Sequence, residues 1–260
     1  MEGRTPMKLV SIISCWVDTL ELLPFCIENH LQFCDGIIVM WSASSNHFVK
    51  DDRMLRFVAT HNYDRVLFHQ LEPVRSLKPL VNETRKRNQG IEVAKREGYS
   101  HFFTADADEF YHPEDVVKDK TLFEEPAING IVCRVRVYIG KPTLYCEDSA
   151  TLVPFIHKLK KEIYCGRIHE YPFAYKNKVA QIDPSRRLNE LNGIIMSDTI
   201  MNHYSYLRRD ISLKVRNSTA KLSNRFATIK QDVSRAKPGY VSELYGRPLQ
   251  ECENHFGIII

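Results

Sequence analysis

Asp106, Asp108 and Glu109 fall within four residues at the end of an apolar run, in HFFTADADEFYHP. Carboxylates at the end of a buried strand are costly unless ion-paired, protonated or bound to a metal. In an extended segment, alternation places Asp106 and Asp108 on one side of the chain. Two hard oxygen ligands with open positions beside them suit Mg2+ or Mn2+, completed by phosphate oxygens and water. The expected chemistry is a divalent cation holding a nucleoside diphosphate. Solvated loop acids are the plain alternative for an Asp-x-Asp spacing.

Other residues could join them. His203, in IMNHY, would complete a metal shell as a neutral imidazole, although a lone histidine is more often a packed or surface residue. Arg85, Lys86 and Arg87 precede Asn88 at an expected helix start, where guanidinium suits bidentate phosphate binding and helix N-termini favour anions. The competing reading is a solvated basic face; Arg87 with Asn88 is favoured. Residues 206–237 hold nine basic side chains, among them Arg208 and Lys214, against Asp210 and Asp232. Such a segment could close over a leaving diphosphate, or be an exposed helix or a patch for an anionic acceptor or membrane surface. A carboxylate or imidazole on a loop could serve as a general base for a hydroxyl. Glu170 and His169, in GRIHEYP, are candidates, with Glu170 first and Asp148 a competitor. Glu170 paired with Arg167 or Arg134 is the structural alternative.

These residues need strands to carry them. KLVSIISCWV reads as a buried first strand, residues 19–33 as a helix, and GIIVMW as a second buried strand followed by the loop SASSN. Residues 51–60 suit a helix, 65–70 a third strand, 82–98 a charged helix closed by Gly98, and 101–105 the fourth strand. That rhythm predicts an α/β fold with a mostly parallel central sheet flanked by helices. Ligands then bind beyond the carboxyl ends of the strands, where Asp18, Ser42, Asp106 and Asp108 fall. After Pro113 the rhythm changes. A strand is expected at 129–140, short extended pieces at 151–155 and 163–166, and a basic helical region from about residue 206. One domain over 1–260 is expected, with a smaller mixed region on its second half.

The bulk numbers exclude little else. The chain has 260 residues, 43% apolar and 26% charged, with a net charge of +4, too weak to indicate nucleic acid by itself. Seven cysteines without a CxxC pair disfavour a zinc knuckle and suggest reduced thiols. MEGRTP reads as a loose terminus, and the run at 9–17 as a strand rather than a signal peptide. No apolar stretch approaches the roughly 20 residues that span a bilayer. A cytoplasmic or membrane-peripheral location is expected.

DADEFY, preceded by RNQGIEVAKREGYSHFFTA, resembles the GT-A class of glycosyltransferases, specifically the family 2-like group with a DxDEF signature. The match covers about residues 8–115. MNHYSYLRRDISLKVRNS is similar to the group's NHYxxxR segment. The resemblance implies a Rossmann-like GT-A fold with a nucleotide-sugar-binding half at about 8–115 and an acceptor-binding half at about 116–260. It implies Asp106 near the ribose or at the metal through water, Ala107 beside it, Asp108 as the direct metal ligand and His203 as a further one. Cys15 and Asp18 stand where many relatives carry Asn-Glu; with Ser42 they would meet the base and ribose, and Arg85, Arg87, Asn88, Arg208 and Lys214 the diphosphate. The activity implied is metal-dependent, inverting transfer from a nucleoside-diphosphate sugar to a hydroxyl of a glycan, a lipid-linked glycan or a modified nucleic acid. Two rivals remain: a metal-dependent phosphohydrolase or nucleotidyltransferase, and an anionic-surface or nucleic-acid binding module using 206–237. Phosphohydrolases of the Asp-x-Asp type place the pair after the first strand; here it follows the fourth.

Overall fold

The computed structural model describes residues 6–166, 174–175, 178–179, 182–190, 192–218 and 222–260. Strands β1 (Leu9–Cys15) and β2 (Gly36–Trp41) are buried at every position. That is the pattern of strands covered on both faces. Side chains alternate between two packing layers. Leu9, Ile13, Ile37, Val39 and Phe103 join one core, which also takes Leu23, Cys26 and Ile27 of α1 (Leu23–Leu31). Val10, Ile12, Ile38, Met40 and Phe102 join the other, beneath Ile91 and Ala94 of α3 (Pro79–Arg96). Helix α2 (Arg53–Thr60) leads to β3 (Val66–Gln70), and α3 leads to β4 (His101–Asp106).

Helix α3 begins at Pro79, three residues earlier than expected, because proline is pre-set for a first helical turn. Gly98, at φ 73°, follows its end as expected. Gly90 is where α3 presses on the sheet. A Cβ there would lie 2.3 Å from Cγ2 of Ile12 and 3.1 Å from Cγ of Met40.

Strands β1 to β4 run parallel in the order β3-β2-β1-β4. The order reverses at β1, which opens a crevice beyond the carboxyl ends of β1 and β4. Then come β5 (Glu109–Phe110), α4 (Pro113–Leu122), β6 (Gly130–Ile139), β7 (Leu144–Lys158), the short pair β8 (Ala174–Tyr175) and β9 (Lys178–Val179), and β10 (Ile194–Tyr206). β7 continues the sheet antiparallel to β4 and β6, whereas β10 lies parallel to β6 and antiparallel to β5. The expected mixed region is therefore part of the same sheet. Helices α5 (Ile211–Asn217) and α6 (Phe226–Arg235) follow, then β11 (Val241–Ser242), β12 (Arg247–Pro248) and β13 (Gln250–Glu251), which edges β7.

Three expectations change. Residues 151–155 belong to the 15-residue β7, whose length is masked in sequence by Glu147, Asp148 and Pro154. The 163–166 segment makes an isolated bridge, Cys165 to Leu188, instead of a strand. Tyr206 ends β10, and the basic helices start at Ile211. All seven cysteines are free thiols. Among the described residues, no helix is long and apolar enough to cross a membrane.

Candidate nucleotide and metal site

Strand β4 ends at Asp106, the chain turns over Ala107 and Asp108, and β5 resumes at Glu109. Glu109 pairs with His203 of β10, and the Tyr204 amide donates to the Asp108 carbonyl at 2.8 Å. This turn breaks the alternation expected of an extended strand. Asp106 and Asp108 therefore meet different partners.

Asp108 is fully buried. Its Oδ2 accepts from Arg208 and, at 3.1 Å, from Nζ of Lys214. Among the described residues its Oδ1 has no hydrogen-bond partner, and it lies 3.6 Å from Nε2 of His203, beyond hydrogen-bond length. Burial by itself would raise its pKa, but the charges of Lys214, His203 and Arg208 outweigh it and hold the carboxyl well below the usual range. Asp106 is gripped by two guanidiniums, Arg87 at 2.8 Å on Oδ1 and Arg186 at 2.9 Å on Oδ2. They depress its pKa against the opposing effect of burial. Both oxygens of the buried Glu109 accept from Arg186.

A cavity of about 260 Å³ opens beside these groups, lined by Ser14, Cys15 and Asp18 from the end of β1, Lys86 and Arg87 from α3, and His203 and Lys214. Lys86 is buried, with Nζ 3.4 Å from the Cys15 carbonyl and 3.5 Å from Oγ of Ser42. Nη1 of Arg87 is buried without a partner among the described residues. Asp210 caps α5, its side chain accepting from the amides of Ser212 and Leu213. That helix brings Lys214 to Asp108, and Nδ2 of Asn217 to Asp18 Oδ1 at 3.1 Å. Burial raises the Asp18 pKa against the opposing charges of Lys214 and Arg208.

Among the described residues, one group fits a hard divalent cation. Asp108, Glu109 and His203 bring ligand atoms within 4.8 Å of one another, but Arg186 occupies both Glu109 oxygens. What remains is the orphan Oδ1 of Asp108 facing Nε2 of His203. One or two protein ligands plus phosphate oxygens is an ordinary Mg2+ arrangement.

No protein-family model matches the sequence, and no curated protein matches it. Solved structures do. S. aureus TarS 1–349 aligns at 13% identity with a TM-score of 0.47, over 88% of this chain and 71% of that chain. The same protein in complex with UDP-GlcNAc aligns at 13% identity and 0.46, over 88% and 72%. The mannosyltransferase PcManGT from Pyrobaculum calidifontis, in complex with GDP-Man and Mn2+, aligns at 14% identity and 0.35, over 54% and 37%.

The structure brings together Cys15, Asp18, Arg87, Asp106, His203 and Lys214 at the cavity, with Asp108 and Arg208 directly beneath. Ala107 is buried in the turn, and Ser42 lies under Lys86, its Oγ donating to the Ser44 carbonyl. Asp106 gives one oxygen to each of two arginines, Arg87 and Arg186. Arg85 turns away to donate to the Glu72 carbonyl. Asn88 clamps the Cys165 backbone through its carbonyl oxygen and its amide. Because α3 starts at Pro79, residues 85–88 lie well inside the helix, away from its anion-favouring end. Asp148 accepts from the Thr151 amide on β7 and does not line the cavity. His169 and Glu170, like Arg167, lie outside the described residues.

Two buried cations of the site are not marked by any motif. Lys86 stands in a run of basic residues, yet Glu83, Lys86, Arg87 and Gly90 share one face at helical spacing. That spacing was a usable signal. Arg186, from the unpatterned stretch IDPSRRL, had none, because its partners Asp106 and Glu109 are about 80 residues away.

Proposed function

We propose that the chain is a GT-A-type glycosyltransferase, moving a sugar from a nucleoside-diphosphate donor to an acceptor hydroxyl with the help of Mn2+ or Mg2+. One observation carries this reading. Among the described residues, a carboxylate oxygen of the buried Asp108 without a hydrogen-bond partner faces His203 at the sheet's switch point, and His203 lines a cavity together with Lys86, Arg87 and Lys214.

Charge balance supports the metal. Five cations (Lys86, Arg87, Arg186, Arg208 and Lys214) surround six carboxylates (Asp18, Glu83, Asp106, Asp108, Glu109 and Asp183). Even with Asp18 neutral, these cations leave no surplus for a diphosphate among the described residues. A divalent ion held by Asp108 and His203 would supply that charge and stabilise the leaving diphosphate. Lys86 and Arg87 bind the donor's anionic part, with the free Nη1 of Arg87 available to a phosphate oxygen. Lys214 neutralises Asp108 beforehand and stands within reach of the same phosphates. The first half, about 8–115, holds the donor, and the second half shapes the acceptor site. Inversion follows from the resemblance of the motifs, with Glu170 or His169 taking the acceptor proton.

A hydrolase using Asp106 as nucleophile is disfavoured, because guanidiniums hold both its oxygens. The deciding experiment is calorimetric titration of UDP, GDP and dTDP, with and without Mn2+, on the wild type and Asp108→Ala. Metal-dependent binding of one diphosphate, absent in the variant, supports the reading and names the base. No binding to any of the three overturns it.

A further inference from the structure

We propose that Arg186 is the positioning residue of the carboxylate turn, a cation from the second half of the chain that sets the donor motif's geometry. A turn bearing three carboxylates in four residues is held open by their mutual repulsion unless something between them carries opposite charge. Arg186 stands there. One guanidinium reaches both oxygens of Glu109, Oδ2 of Asp106 at 2.9 Å and the Thr104 carbonyl at 3.4 Å. It touches the strand before the turn, the turn's first acid and the strand after it. Asp108, between the two acids it holds, is the one it does not touch.

The hold is itself built. Asp183 accepts from the amide and hydroxyl of Ser185, each at 2.8 Å, and the Arg186 amide donates to the Asp183 carbonyl at 2.9 Å. Ser185 Oγ then meets Nε of Arg87 at 3.2 Å, so the same loop steadies the second arginine on Asp106. Arg186 is not among the residues that line the cavity, whereas Lys86 and Arg87 are. It acts through the carboxylates. By fixing Asp106 and Glu109 on one side, it leaves Oδ1 of Asp108 turned toward His203. A lysine could not do this, since a compact ammonium lacks the planar fork that meets both carboxylates at once.

The consequence for metal binding rests on the glycosyltransferase reading; the consequence for the turn's order does not. Two measurements on Arg186→Lys and Ser185→Ala therefore separate them: amide hydrogen exchange by mass spectrometry, and Mn2+ binding followed by the signal of the free ion. Arg186→Lys is expected to speed exchange at least about tenfold in peptides covering 104–110 and leave the Gly36–Trp41 strand unchanged. It is also expected to weaken Mn2+ binding by at least about tenfold, with Ser185→Ala milder in both. Unchanged exchange in 104–110 overturns the proposal. So does equal acceleration in every strand, which would mean a general structural role. If the wild type binds no Mn2+, the functional reading fails, and the exchange pattern alone still decides whether Arg186 positions the turn.

Discussion

Each carboxylate of the motif meets a different set of cations. Asp108 shares one oxygen with Arg208 and Lys214 and turns the other toward His203. Asp108→Asn removes the charge that two buried cations rely on. It is expected to cost about 3 kcal/mol in urea unfolding, as for other broken buried pairs. It should also abolish metal-dependent diphosphate binding in calorimetry. His203→Gln separates the two effects, because His203 is partly exposed and makes no close bond to Asp108. Its unfolding midpoint should stay near wild type while Mn2+ affinity falls at least the roughly 10–100-fold seen when a metal site loses even an outer partner. Wild-type Mn2+ affinity in His203→Gln would remove the histidine from the site. The bare Asp-x-Asp spacing could not show that the two aspartates part company. That depends on the Ala107–Asp108 turn, which pairs Glu109 with β10.

Helix α3 shows how an element sets the site from a distance. Its seat on β1 and β2 passes through Gly90, whose missing side chain allows close approach to Ile12 and Met40. The same face carries Lys86 and Arg87 to the cavity one turn earlier. Gly90→Ala should gain about 1 kcal/mol in helix propensity. It should lose more, roughly 1–3 kcal/mol, by overpacking against the sheet. The expected net is a lower thermal midpoint and weaker diphosphate binding, because the helix and both cations move together. A rise in midpoint with unchanged binding would show that α3 has room to spare. The helix itself was legible from its charged pattern and Gly98. Its start was not, since Pro79 precedes the apolar periodicity.

At the scale of the whole molecule, the core holds histidines that stay neutral. His30 is fully buried, accepting at Nδ1 from the Ser11 hydroxyl and donating from Nε2 to the Glu109 carbonyl, and burial pushes its pKa down to about 3. Burial likewise pushes His157 down to about 3. Both fold with fewer protons than the unfolded chain binds, so their contribution is complete above the unfolded value near 6.5. It is lost as pH falls toward 3, at roughly 1.4 kcal/mol per pH unit for each. Asp106 and Asp108, with depressed values, act only lower, losing their contribution as pH falls below the ordinary carboxylate range. Urea unfolding at pH 7, 6 and 5 should therefore show a steady loss driven by histidine. Burial raises the carboxyls of Asp18 and Glu109, which act in the opposite sense. A pH slope in His157→Gln no shallower than in the wild type would therefore refute the neutral burial of His157.

The amino-acid order by itself determined the parallel run β1 to β4, the helices between them and the place of Asp108 at the end of β4. Those are local matters of periodicity, turn residues and strand length, readable within a window of a dozen residues. His203 and Lys214 were also within reach, through a short motif read beside the first. Only the tertiary structure decided that β7 and β10 complete the sheet, that Asp106 belongs to Arg87 and Arg186, and that Arg85 and Asn88 brace the backbone. Arg186 is the clearest case. Nothing near it in sequence distinguishes it from Arg187, and its role exists only where the folded chain sets it between two buried acids. Local pattern can say which side chains are able to bear charge; which charges meet is settled by the long-range packing that removes them from water.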